Sequence, residues 1–302
     1  MPTVAKKQLI DLDQLLAAAQ LPALPQTAMT LLELSQDASN GPVEFARPIE
    51  ADPGLMSQIL KFVNSSYFGF SREISSVQQA LALVGVRTIK NFALWSAVFS
   101  LVPEPKFGPF DLKRLWQDSL RRAVFSRSLG RKLKLPNAED LFAATLLQDI
   151  AIPLLLKELP GQYETLIHRR NAQGLRLSQL EREEFGWDHA QVAAALVRNW
   201  KLPHEFAVLI ESHPHLDRLL AAKTRPVDAI AVAIASLLPN CQCDAWRDRD
   251  AFLSALRQIA NLSDDSIIAL LKDSDATFAD FAPMLRVSIP EISLVQWITR
   301  AT

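Results

Sequence analysis

Apolar residues along this chain recur at helical spacing. Leu55, Ile59, Phe62 and Val63 line one face of a segment that opens with Asp52-Pro53, a capping residue followed by proline where its missing N–H costs nothing. Ser76 and Gln79 have capping-box spacing, and Gly85 suits the end of that helix. Asn137 with Asp140, and Ser178 with Glu181, predict two further starts, and Asp188 predicts a cap for a helix from His189 to Trp200. Pro203 and Pro226 read as first-turn prolines, and Pro48 should kink or shorten the short helix that begins at Pro42. No stretch alternates convincingly as a strand would. The pattern predicts a dozen or more helices joined by short loops, an all-α fold.

Proline and glycine divide the chain. Residues 102–110 hold three prolines and a glycine, and a second break lies near 239–247. The expected organisation is an N-terminal helical part (1–101), a proline-rich connection (102–110), a middle part (111–240) and a C-terminal helical tail (241–302). The tail either completes the core or offers a homodimer surface. No internal repeat or low-complexity tract is visible.

Hydrophobic residues at 49% and charged residues at 22% match a folded globular protein. A formal net charge of −1 gives no global case for nucleic acid or an anionic membrane. The opening MPTVAKKQLIDLDQLL lacks the apolar core of a signal peptide, and no apolar run is long enough to span a bilayer, so the expected location is cytoplasmic. Cys241 and Cys243 form neither a disulfide framework nor a zinc site. Nucleotide-binding glycine motifs and a nucleophile elbow are absent. The basic run from Lys113 to Lys134 shares its helix with Leu115, Leu120, Val124 and Leu129, and reads as an amphipathic helix with a basic exposed side.

Candidate chemistry concentrates in the middle part. Asp149 stands beside Gln148, where an adjacent His-Asp pair would place two metal ligands on one helix edge; a neutral amide cannot replace an imidazole donor. Asp149 therefore reads first as a structural hydrogen-bonding residue. His189 follows the capping Asp188, and His213 lies in the sequence ESHPHLD, which looks like an exposed turn. His168 and His204 have no informative neighbours. The stretch from Asn64 to Ser76 carries a Tyr, two Phe and an Arg between two helices. Asn64 suits a left-handed helix end, Gly69 a tight turn, and Tyr67, Phe68 and Phe70 should fold the loop back onto the N-terminal helices. It is either a structural loop or a surface presented to a partner. Asn64, Ser65, Tyr67, Gly69 and Arg72 are the candidate partner-binding residues, with Tyr67 and Arg72 favoured because Tyr and Arg dominate interface hot spots.

From Leu21 to Leu238 the chain resembles the HDOD family, the HD-related output domain of bacterial signalling proteins. Leu21-Pro22-Ala23-Leu24-Pro25, Asp52-Pro53-Gly54-Leu55, Asn64-Ser65-Ser66-Tyr67-Phe68-Gly69 and the run from Ile74 to Gly85 are similar to its ordered motifs. The resemblance implies a degenerate HD-type pocket formed by Asp118, Gln148, Asp149, His189, His213 and Ala235. In related metal-dependent phosphohydrolases, histidines would stand at 118 and 148 and a further aspartate near 235. The departures imply a non-catalytic regulatory module with no metal and no cofactor, acting on an unidentified signalling partner. The rivals are a degenerate HD phosphohydrolase working through Asp149, His189 and His213, and a pseudoenzyme that binds a small nucleotide.

Overall fold

The computed structural model describes residues 10–18, 23–37, 39–102, 110–241, 244–285 and 287–300. Leu21, Pro22, Cys243 and most of the proline-rich connection (103–109) lie outside the described residues. The described residues contain helices and no strand. In chain order the N-terminal helices are α1 (Leu12–Ala18), α2 (Gln26–Leu34), α3 (Pro42–Glu50), α4 (Pro53–Val63), α5 (Val77–Val84) and α6 (Val86–Leu101). The middle stretch supplies α7 (Leu112–Lys132), α8 (Ala138–Leu147), α9 (Ala151–Glu158), α10 (Pro160–Gln173), α11 (Leu177–Phe185), α12 (His189–Asn199), α13 (His204–Ser212), α14 (Leu216–Ala221) and α15 (Val227–Ala235). The tail adds α16 (Arg249–Ala260), α17 (Asp264–Phe281) and α18 (Leu294–Thr299).

Local chemistry explains most helix ends. Asp52 accepts from Leu55 N at α4, Ser76 accepts from Gln79 N at α5, and Gly85 ends α5 with φ 96°, a conformation costly for a side chain. Asp188 and Gln191 form a reciprocal capping box at α12. Pro203 and Pro226 stand one residue ahead of their helices, at the N-cap, rather than in the first turn. Pro48 lies within α3, only two residues from its end, so few backbone bonds are affected. Asn137 precedes α8 but makes no side-chain cap.

Three expectations need correction. Ser178 and Glu181 mark the start of α11 to within one residue but do not cap it: α11 begins at Leu177, and Glu181 is turned into the core. Asn64 is not left-handed (φ −86°). Its carboxamide accepts from Ile74 N at 2.7 Å and donates to Leu60 O and Ile74 O, tying both ends of the loop together. The basic residues of α7 are not all outside, since Arg121 and Arg127 are buried.

Arg127 is the hub of the structure beneath the 64–72 loop. Its guanidinium lies 4.5 Å from the Tyr67 ring centroid, 4.8 Å from Phe142 and 5.0 Å from Phe281, joining the loop, α8 and α17 by cation–π contact. Tyr67 also packs on Phe281, and its hydroxyl bonds Arg131. The loop thus folds partly onto the C-terminal tail, while Phe68 packs back on Phe62 of α4 as expected. The tail itself completes the core. Helix α17 lies on α7, Gln117 donates to Ser288 O, and Arg121 donates to Ile292 O. Buried apolar side chains from all three stretches form one connected core.

Candidate functional site

The central site lies where α7, the α8–α9 turn, α12 and the end of α13 meet. Asp149 sits in the tight turn between α8 and α9, with Gln148 as the C-cap of α8. His189 is the first residue of α12, held there by the Asp188 cap. His213 closes α13. It is 3% exposed, so the ESHPHLD segment is not an exposed turn: the helices packed around it enclose its first histidine.

These three residues converge. His189 Nε2 lies 3.2 Å and His213 Nε2 3.7 Å from Asp149 Oδ1, and the two rings are 5.4 Å apart. Each histidine is oriented through its other nitrogen. His189 Nδ1 lies 2.6 Å from Glu181 Oε2, and His213 Nδ1 lies 2.7 Å from Ile210 O. Glu181 is fully buried, also accepting from His189 N and from the Tyr163 hydroxyl at 2.7 Å. Arg122 of α7 pairs with Asp149 Oδ2 from the opposite side. Sequence reasoning missed Glu181, Arg122 and Tyr163. Glu181 was visible only as a capping partner, because nothing local marks which face of α11 turns inward.

Burial sets the electrostatics, and neighbouring charges then decide each group. Burial works to raise the Asp149 carboxyl, but Arg122, His189 and His213 outweigh it and hold it well below the usual carboxylate range. Burial disfavours the His189 imidazolium, yet Glu181 and Asp149 on its two sides hold the proton far above the ordinary value. His213 has no such pair, and burial pushes it down to about 4. Asp118 is raised by burial against the opposing pull of Arg122, and it accepts from Cys241 N at 2.9 Å.

These donors match an HD-type metal centre only in part. Two imidazole nitrogens and one carboxylate oxygen lie within 4.8 Å of one another, and both histidines have the outer partners that metal ligands usually have. The rest of the set does not fit. Gln148 offers an amide, Ala235 is a buried methyl on α15, Asp118 is engaged by the Cys241 backbone, and the Arg122 guanidinium occupies Asp149. A hydrolytic centre needs a closed ligand set plus an open position. Among the described residues, Asp149, His189 and His213 are the three donors that converge here.

The HDOD domain profile matches residues 21–216. The chain belongs to the HDOD family. An uncharacterised protein of Treponema pallidum is 24% identical over 203 residues, covering 66% of this chain and 39% of the relative. The uncharacterised protein YuxH of Bacillus subtilis is 38% identical over 88 residues, covering 29% of this chain and 21% of the relative. The chain therefore spans well under half the length of these curated relatives. Among solved structures, an HDOD protein of unknown function from Geobacter sulfurreducens superposes with a TM-score of 0.71 at 19% identity, covering 90% of this chain and 96% of its own. A protein of Shewanella amazonensis, provisionally described as a metal-dependent phosphohydrolase, gives 0.67 at 18% identity over 89% and 96%. One of Marinobacter aquaeolei, provisionally described as a signal transduction protein, gives 0.66 at 19% over 92% and 63%. At these identities the likeness establishes the HDOD all-α fold. Among the described residues, no single helix is long and apolar enough to cross a membrane.

The candidate partner-binding residues divide by exposure. Asn64, Gly69 and Arg72 are exposed and Ser65 is partly so, while Tyr67 is half-buried against Arg127 and Phe281. The interface role assigned to the Tyr67 side chain therefore competes with a packing role. Phe70, 37% exposed, is the aromatic residue the loop does present.

Proposed function

We propose that this HDOD protein is a non-catalytic signal-relay module that engages a protein partner through the loop carrying Phe70 and Arg72. One observation carries the non-catalytic reading. Glu181, His189, Asp149 and Arg122 form a continuous chain of alternating charge that balances without any cation. A divalent ion at this point must displace the His189 proton, which leaves buried Glu181 without its charged partner, and must sit close to the Arg122 guanidinium on Asp149 Oδ2, which repels it. The Marinobacter neighbour, described in signal-transduction terms, shares the fold and is consistent with this role.

The rival is an HD-type phosphohydrolase working through Asp149, His189 and His213, favoured by the convergence of their donor atoms. Elemental analysis of protein purified without chelator, paired with a phosphodiesterase assay, separates the two. Substoichiometric metal and no turnover support the relay. Near-stoichiometric metal, lost in His189→Ala together with measurable hydrolysis, overturns it. The partner surface is tested by affinity capture with Arg72→Ala and Phe70→Ala, which should lose a partner that the unaltered chain retains.

A further inference from the structure

The central site opens into a cavity of about 470 Å³, within the roughly 300–1,000 Å³ usual for small-molecule sites. Its wall away from Asp149 is built by the α10–α11 turn and by the segment before α16. Helix α11 starts there without a side-chain cap, so its first N–H groups have no partner within the helix. Ser178, the second residue of that helix, lines the cavity. It is 4% exposed, and its hydroxyl has no hydrogen-bond partner among the described residues. Gln148 lines the same cavity, with its carboxamide oxygen buried and also without a partner.

Three arginines share this wall with the carboxylates of Asp244 and Asp248. Arg176 immediately precedes α11 and is held by Asp248 at 3.0 Å. Arg247 donates to Gln173 O and lies directly over Gly174, where a Cβ would come within 1.2 Å of its guanidinium. Gly174 is left-handed (φ 67°), so both the turn and the seat of Arg247 depend on the missing side chain. Arg170 lines the cavity one turn earlier on α10. An uncapped helix start, a buried hydroxyl and guanidinium forks at one wall suit a tetrahedral oxyanion. The cavity is much larger than that anion alone.

We infer that this cavity binds a small phosphate ester of mononucleotide size, with its phosphate at the start of α11 between Arg176 and Arg247. This inference goes beyond the relay reading and does not depend on it, because it concerns binding at the wall opposite the histidines.

The test is isothermal titration of the full chain, in EDTA, with AMP, GMP and inorganic phosphate as separate probes, alongside Arg176→Ala and Arg247→Ala. Both variants lie at the solvent edge, and circular dichroism checks that they fold. At least one nucleotide should bind more tightly than inorganic phosphate, and each variant should weaken it by about tenfold or more, the worth of one charged hydrogen bond. No nucleotide binding at about millimolar concentration overturns the inference. So does binding that neither variant changes. If inorganic phosphate matches the nucleotides, the wall holds an adventitious ion only, and the ester is wrong.

Discussion

Glu181 Oε2 lies 2.6 Å from His189 Nδ1, and both side chains are buried. This contact makes Glu181 the anchor of the central network, since the same carboxylate also receives the His189 N–H and the Tyr163 hydroxyl. Removing it leaves three buried polar groups without their acceptor. Glu181→Ala should destabilise the fold by about 3–5 kcal/mol, the cost of stranding one side of a buried ion pair. Glu181→Gln keeps an acceptor oxygen but loses the charge, and should cost clearly less. Urea denaturation measures both, and equal losses would show that charge pairing is not what Glu181 contributes.

His213 sets an acid-side loss of stability. Its unfolded imidazole takes up a proton near 6.5, whereas in the fold it does so only near about 4. Between those values the unfolded chain holds more protons, so stability declines as pH falls through this window, by roughly 3 kcal/mol for one such group. His189 has the opposite sign. Its raised pKa gives stability that is complete below 6.5 and lost as pH rises through the folded value. Asp149, held low, contributes above the ordinary carboxylate range and loses that contribution in stronger acid. Unfolding midpoints of His213→Gln should therefore fall less between pH 6.5 and pH 4 than those of the unaltered chain. Parallel curves would mean that His213 is protonated in the fold.

The cation–π hub separates packing from charge. Arg127 is 1% exposed, and its Nε and Nη2 have no hydrogen-bond partner among the described residues, while its nearest carboxylate contact, to Glu139, is 3.7 Å. Its stem and flat head fill the space between Tyr67, Phe142 and Phe281. Arg127→Ala opens a cavity there and should cost about 2–5 kcal/mol. Arg127→Met refills the space without a buried charge and should recover most of that loss. If the methionine variant is as unstable as the alanine one, the guanidinium itself holds the loop to α7 and α17.

What the sequence revealed follows the range of the forces involved. The starts of α4, α5 and α12 were legible because Asp52, Ser76 and Asp188 act on backbone atoms two or three residues away. The helical period likewise exposed the all-α class. His213 misled because its flanking Pro214 and His215 resemble a surface turn, and the residue that meets it, Asp149, lies far away in sequence. Glu181 and Arg122 were missed for the same reason. Each sits in a helix with charges on several faces, and only packing selects the face that turns inward. Tyr67 was singled out as a partner contact, but its ring faces Arg127 and Phe281, which no pattern within the loop records.

Gln148 offers the most direct test of whether residue 148 governs metal binding at this site. It lies beside Asp149, is fully buried, and keeps its Oε1 without a partner. The family resemblance places histidine at this position. Gln148→His would add a third imidazole next to Asp149, His189 and His213, raising the donor set from three to four, the number that structural zinc sites use. The gain must still overcome the Arg122 contact and the His189 proton, both of which oppose a cation. Pairing the substitution with Arg122→Gln removes the first of these. The double variant should therefore acquire near-stoichiometric zinc, measured by elemental analysis after dialysis, while the unaltered chain stays substoichiometric. Zinc bound equally by both would show that residue 148 is not what keeps the ion out. Zinc bound by neither would show that the histidine pair and Asp149 are locked as a structural network that no added ligand reopens.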